Sequence, residues 1–144
     1  MKKQFTSAFS LIELTFTIGI AAFCLIAVFG LIPVGVRTNR NATSQTAATN
    51  IMAAVISDLR ATPTANNTSS QFAITFFGTP APLYFDGSGQ FTTTPGANSR
   101  YQLNVTWYGT TGLRYADLKV TWPAAATTAN ASGSTEMFTA FDRN

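Results

Sequence analysis

One carboxylate stands where the chain otherwise avoids charge. Glu13 lies near the start of an apolar run that extends from Phe9 to Val36 and holds no other charged residue. A carboxylate at the centre of a membrane helix costs about 2.5–3.5 kcal/mol, so a retained one is expected to lie at the interface or to meet a cation. The nearest cations are Lys2 and Lys3. The rest of the chemical inventory is thin. There is no histidine, and so neither the commonest general base nor the commonest metal ligand. The single cysteine, Cys24, falls inside the apolar run and reads as a small apolar residue. It can close no disulfide within the chain and assemble no zinc or thiol-nucleophile site. Asp86 in "DGSG" has the look of a calcium loop, but an EF-hand needs several acids at fixed spacing, and it is read as a turn residue. The expectation is a non-enzyme with no catalytic residue, no metal, no cofactor and no small-molecule substrate.

Composition narrows the partners. Charged residues make up only 10% of the 144, well below the usual quarter, while Thr, Ser and Asn abound outside the apolar run. That surface chemistry fits an extracytoplasmic domain. The net charge of +3 owes two of its nine basic residues to Lys2 and Lys3, and the others are scattered. A phosphate backbone calls for basic residues clustered on one face, so the charge pattern argues against nucleic acid.

The elements that must position Glu13 come next. Leu14 to Val36 is a stretch of 23 uncharged residues, enough at about 1.5 Å per residue to cross a hydrocarbon core of roughly 30 Å. It is longer than the apolar region of a secretory signal and has no clean Ala-x-Ala site at its end, so it reads as a retained single membrane helix. The basic N-terminus tips the orientation toward a cytoplasmic start. Pro33 removes one backbone hydrogen bond and crowds the carbonyl of Phe29, which predicts a kink where the helix leaves the membrane. A cut just before Phe9 would create an amino group four residues from Glu13. With a reference pKa of about 7.7–8, that amine would be cationic at neutral pH.

The stretch "KKQFTSA-FSLIELTFTIGIAAFCLIAVFGLIPVG" resembles the class III signal of type IV pilins and pseudopilins: a short basic leader, a small residue at the cut, Phe, a hydroxyl residue, two aliphatics, Glu and a long apolar run. "FGLIPVG", "LYFDGSG" and the paired "VTW" segments are also similar to the pilin-like Verru_Chthon cassette B group, in the minor-pilin and minor-pseudopilin branch. The resemblance implies cleavage between Ala8 and Phe9 by a prepilin peptidase, N-methylation of Phe9, and pairing of Glu13 with the Phe9 amine of a neighbouring subunit. It further implies that the partners are other pilin-like subunits, the inner membrane, and a pilus or secretion assembly platform. The family's usual residue before the cut is Gly, and here it is Ala8.

Beyond the membrane the helix is expected to continue. Ala47, Ala48, Ile51, Met52, Val55, Ile56 and Leu59 recur at three- and four-residue spacing, with Arg40, Gln45, Asp58 and Arg60 mostly off that stripe. Pro63 and the Asn-rich segment 62–70 end it. Strands are expected at 71–77, in a hairpin over 83–92 with a four-residue loop, at "YQLNVTW", at "YADLKVTW" and at 136–141, with 123–135 a flexible loop. The organisation is thus a leader at 1–8, a long helix at 9–61 with 9–36 in the membrane, and a β-rich extracytoplasmic domain at 62–144. The fold class is α+β, pilin-like: a long N-terminal helix packed on a small antiparallel sheet. The function expected is a structural subunit, a minor pilin or pseudopilin. Two other readings use the same helix differently, one as the anchor of a single-pass extracytoplasmic binding domain, the other as a signal removed by ordinary signal peptidase.

Overall fold

The structure, a computed structural model, describes residues 10–109, 113–127 and 129–143. Helix α1 spans Leu11–Ala61, and five strands follow: β1 (Leu83–Phe85), β2 (Phe91–Thr92), β3 (Tyr101–Tyr108), β4 (Arg114–Trp122) and β5 (Gly133–Phe141). They form one antiparallel sheet in the order β2-β1-β3-β4-β5. The fold is α+β, with the helix packed on the sheet. By compactness the chain divides into two units, residues 1–40 and 41–144, so the later part of α1 belongs with the sheet.

The helical stripe buries as its spacing predicts. Ala48, Ile51, Met52, Val55 and Leu59 are buried, with Ala47 and Ile56 packed at the margin. The facing residues come from alternate positions of the strands: Leu83 and Phe85, then Tyr101, Leu103 and Val105, then Ala116, Leu118 and Val120. The register pairs Leu103 with Val120 and Val105 with Leu118, which keeps one face of the sheet apolar. Each fully buried Leu or Val of this kind contributes about 1.5–3 kcal/mol by leaving water. The helix stops at Ala61, one residue before Thr62 turns its amide and hydroxyl back to the Asp58 carbonyl.

Three expectations need correction. Residues 71–77 are not a strand: Phe72, Ile74 and Phe76 do alternate inward, but the segment is a run of turns with a single bridge, Thr68 to Thr75. Its backbone groups are claimed elsewhere. Asp58 accepts from the amides of Gln71 (2.9 Å) and Phe72 (3.1 Å), Ser69 exchanges bonds with Ile74, and the Trp107 indole donates to the Thr75 carbonyl. Ala73 and Phe77 have positive φ, incompatible with a strand. The hairpin loop is longer by one residue than expected, because Gln90 remains in the turn and its carbonyl accepts from the Asp86 amide. Finally, the last strand starts at Gly133, three residues early. Gly133 faces Trp122 across the ladder, and any side chain there would overlap the indole ring. The missing Cβ lets the strand extend beneath that ring.

Candidate functional site

Glu13 sits in the first turn of α1, which favours a carboxylate because the unpaired amides there carry partial positive charge. Its backbone carbonyl accepts from the Thr17 hydroxyl at 2.7 Å, and Thr15 does the same to the Ile12 carbonyl at 2.9 Å. These bonds take up hydroxyls that would otherwise be unpaired in an apolar medium. The carboxylate has no cation within reach among the described residues, where the ion pair found is Lys119–Glu136.

From Leu11 to Val36 the helix leaves its large apolar side chains exposed. Leu11 is 81% exposed, Phe16 68%, Phe23 74% and Ile26 72%, and Cys24 is exposed among them. An 18-residue window of this segment has a mean hydropathy of 2.5, and none of it is buried in the chain's own fold. This is the one helix among the described residues long and apolar enough to span a membrane. Nothing lies near the open faces of Gly19, Gly30 and Gly35, where a neighbouring helix could approach closely. The helix runs through Pro33 without interruption. Pro33 lies twenty residues from Glu13, some 30 Å along the axis, so the two cannot share a site. Ala8 and Phe9 lie outside the described residues.

The sheet unit has polar features of its own. Asp86 is a loop organiser: its Oδ1 accepts from the Ser88 amide (2.8 Å), the Ser88 hydroxyl (2.7 Å) and the Gln90 amide (3.0 Å). These bonds, the Ser88 hydroxyl foremost, hold its carboxyl below the ordinary aspartate range. Asp117 moves the other way. Desolvation, then the neighbouring Glu136 charge, raises its pKa, with Lys119 opposing. No group of three or more His, Cys, Asp or Glu among the described residues could hold a metal ion.

Two residues matter more than their sequence positions advertise. The pattern sets Asp58 off the helical stripe, yet it is 8% exposed and its carboxylate caps the turn at 71–72. It stands three residues after Val55 and seven after Ile51, spacing that places it on the buried face. Arg143 is the second. Its guanidinium donates to the carbonyls of Thr62, Pro63 and Asn66 and lies 3.6 Å from the Phe76 ring centroid. No local pattern marks it, because all four partners are far away in sequence.

No protein-family model matches the chain, and no curated protein or solved structure matches it.

Proposed function

We propose that the chain is a structural subunit, a minor pilin or pseudopilin, that enters a type IV pilus-like or type II secretion-like filament through its N-terminal helix. The observation that carries this reading is Glu13: a carboxylate at the head of the exposed apolar stretch 11–36 of α1, with no cation to meet it among the described residues. Assembly supplies the missing partner. Cleavage between Ala8 and Phe9 would leave a cationic Phe9 amine, and packing of parallel helices would bring the amine of one subunit to the Glu13 of another. The unpaired charge is thereby turned from a cost into a register mark. The exposed glycines let the helices approach. On this reading prepilin peptidase and an assembly platform in the inner membrane are partners, the sheet unit lies outside that membrane, and the finished filament lies in the periplasm or at the cell surface.

The mass of the mature N-terminus tests the reading. Methylated Phe9 at the N-terminus is the expected result. An intact Met1 would instead make the chain a single-pass membrane-anchored extracytoplasmic binding domain. A start beyond about residue 30 would make it a secreted domain released by signal peptidase.

A further inference from the structure

Away from the apolar helix, six side chains that can donate hydrogen bonds line one cavity of about 190 Å³: Ser44, Ser99, Arg100, Tyr101, Trp122 and Ser132. They come from four parts of the chain, namely α1, the start of β3, the end of β4 and the approach to β5. All six belong to the unit 41–144. Among the described residues, none of the six donates its side-chain proton to an acceptor.

Each is left free by its local structure. Along α1, Thr38, Thr46 and Thr49 turn their hydroxyls back onto the carbonyl four residues earlier, and Ser44 makes no such bond. Ser99 Oγ accepts from the Gly96 amide at 2.9 Å, which fixes the oxygen and leaves its hydrogen to donate. Tyr101 is 4% exposed, with its ring edge-on to Trp122 at 6.3 Å, yet its hydroxyl bonds no described residue. A phenol so deep ordinarily has a partner. The hydroxyl is not among the sealed unpaired atoms of the fold either, so it reaches the open space that its ring lines. The Trp107 indole donates to the Thr75 carbonyl, whereas that of Trp122 has no acceptor among the described residues.

The charge is equally unmatched. Arg100 is pinned through its backbone, its amide donating to the Phe85 carbonyl at 2.8 Å and its carbonyl accepting from Ala124 at 3.0 Å. Its side chain lies against the turn after Asp86, where a Cβ on Gly87 would come within 3.2 Å of its Cδ. Among the described residues no carboxylate lies within ion-pair distance of its guanidinium, and neither Asp nor Glu lines the cavity. Asp86 lines the adjoining cavity, where its Oδ1 is taken up by Ser88 and Gln90.

We infer that this cavity is an anion site whose ligand is a phosphate monoester. A cation and a set of unspent donors are complemented by an oxyanion. A carboxylate offers about four lone-pair sites in one plane. A phosphate monoester offers three terminal oxygens around a tetrahedron and about −1.5 to −2 charge at neutral pH, which suits donors that arrive from four segments. The volume is below the roughly 300–1,000 Å³ of pockets that enclose a whole small molecule, so the cavity takes the phosphate group and the carrier extends outward past the half-buried Trp122. The site lies in the sheet unit and stands whether or not the N-terminal helix enters a filament.

The experiment is a titration of the full chain in non-ionic detergent micelles with methyl phosphate, at constant ionic strength and above the second phosphate pKa of about 6. The two indole N–H resonances are followed. The Trp122 signal, identified by its absence from Trp122→Phe, is expected to shift saturably while that of Trp107 stays in place. Arg100→Gln is expected to weaken binding at least about tenfold, with Arg100→Lys between it and the wild type. Tyr101→Phe keeps the buried ring and is expected to weaken binding several-fold with an unchanged circular dichroism spectrum. Acetate and dimethyl phosphate are expected to bind more weakly than methyl phosphate. No saturable shift of Trp122 would overturn the inference, as would equal affinity in Arg100→Gln and the wild type. Acetate binding as tightly as methyl phosphate would make this a carboxylate site, and dimethyl phosphate doing so would make it a site for diesters such as lipid head groups. Either result would overturn the assignment to a monoester.

Discussion

Residues 11–40 and residues 41–143 are both rich in apolar side chains, and they treat them in opposite ways. In the first region Leu25, Ile26 and Phe29 are more than half exposed; in the second, Leu103, Leu118 and Val120 are fully buried. Both cannot be stable in the same solvent. The later region satisfies itself by placing a helical stripe on an apolar sheet face. The earlier one is a stretch of helix that no described residue buries, so its apolar surface calls for lipid or other helices. The contrast teaches that apolar content does not distinguish a core from an interface; only the presence of a second layer does.

Several changes would break or sharpen that contrast. The largest effect is expected at Glu13, on the proposal that a neighbouring amine meets it. Glu13→Gln should leave insertion and cleavage intact, and even ease insertion, while incorporation into sheared filaments is lost. Glu13→Lys should be worse still, by adding repulsion. Incorporation of the Gln variant at the wild-type level would reduce Glu13 to an interfacial residue that reaches water.

Next comes the core. Leu118→Ala should cost about 2–5 kcal/mol in the unfolding of the sheet unit, followed by loss of near-ultraviolet dichroism. Leu25→Ala removes the same atoms from an exposed position and should leave that transition unmoved. A shift of similar size from both would dissolve the distinction between the two regions.

Asp58→Ala should cost about 1–3 kcal/mol, because the amides of Gln71 and Phe72 lose their acceptor and remain partly buried. Asp58→Asn should restore part of it, since the amide oxygen can serve one of the two donors. Chemical denaturation of the three proteins side by side would check the ranking.

The smallest effect is electrostatic. Asp117 has its pKa raised in the fold, so the folded state binds more protons than the unfolded one. The stability it contributes is fully present below the ordinary aspartate value and is lost as pH rises through the raised one. Asp86, with its pKa lowered, gives the opposite slope: its contribution is present above the ordinary value and is lost as pH falls through the lowered one. Asp117→Asn should therefore flatten the decline in melting temperature as pH rises out of the acid range, and Asp86→Asn should flatten the loss toward low pH. Melting curves across that range that are parallel for wild type and both variants would show that neither carboxylate is coupled to folding.

Much of this was legible in the chain itself, for a physical reason. The stripe from Ala48 to Leu59 and the alternation of Tyr101, Leu103 and Val105 are periodic, and periodicity is set by backbone geometry that any sequence shares. The charge-free run after Glu13 and the stop at Pro63 are likewise local statements. The antiparallel sheet under a helix follows once one face of each element is apolar. Segment 71–77 shows where such reading fails. Its alternation predicts a strand as well as that of β3 does, yet whether a strand forms depends on which groups compete for its amides. Here a carboxylate from α1 and the Ser69 hydroxyl take its amides and the indole of Trp107 takes the Thr75 carbonyl, and neither Asp58 nor Trp107 is close enough in sequence to leave a pattern. The same holds for Arg143 beneath the end of the helix and for the glycine that lets β5 run under Trp122. Local geometry decides what repeats along the chain, whereas long-range hydrogen bonds and steric fit decide which of the permitted elements finds a neighbour.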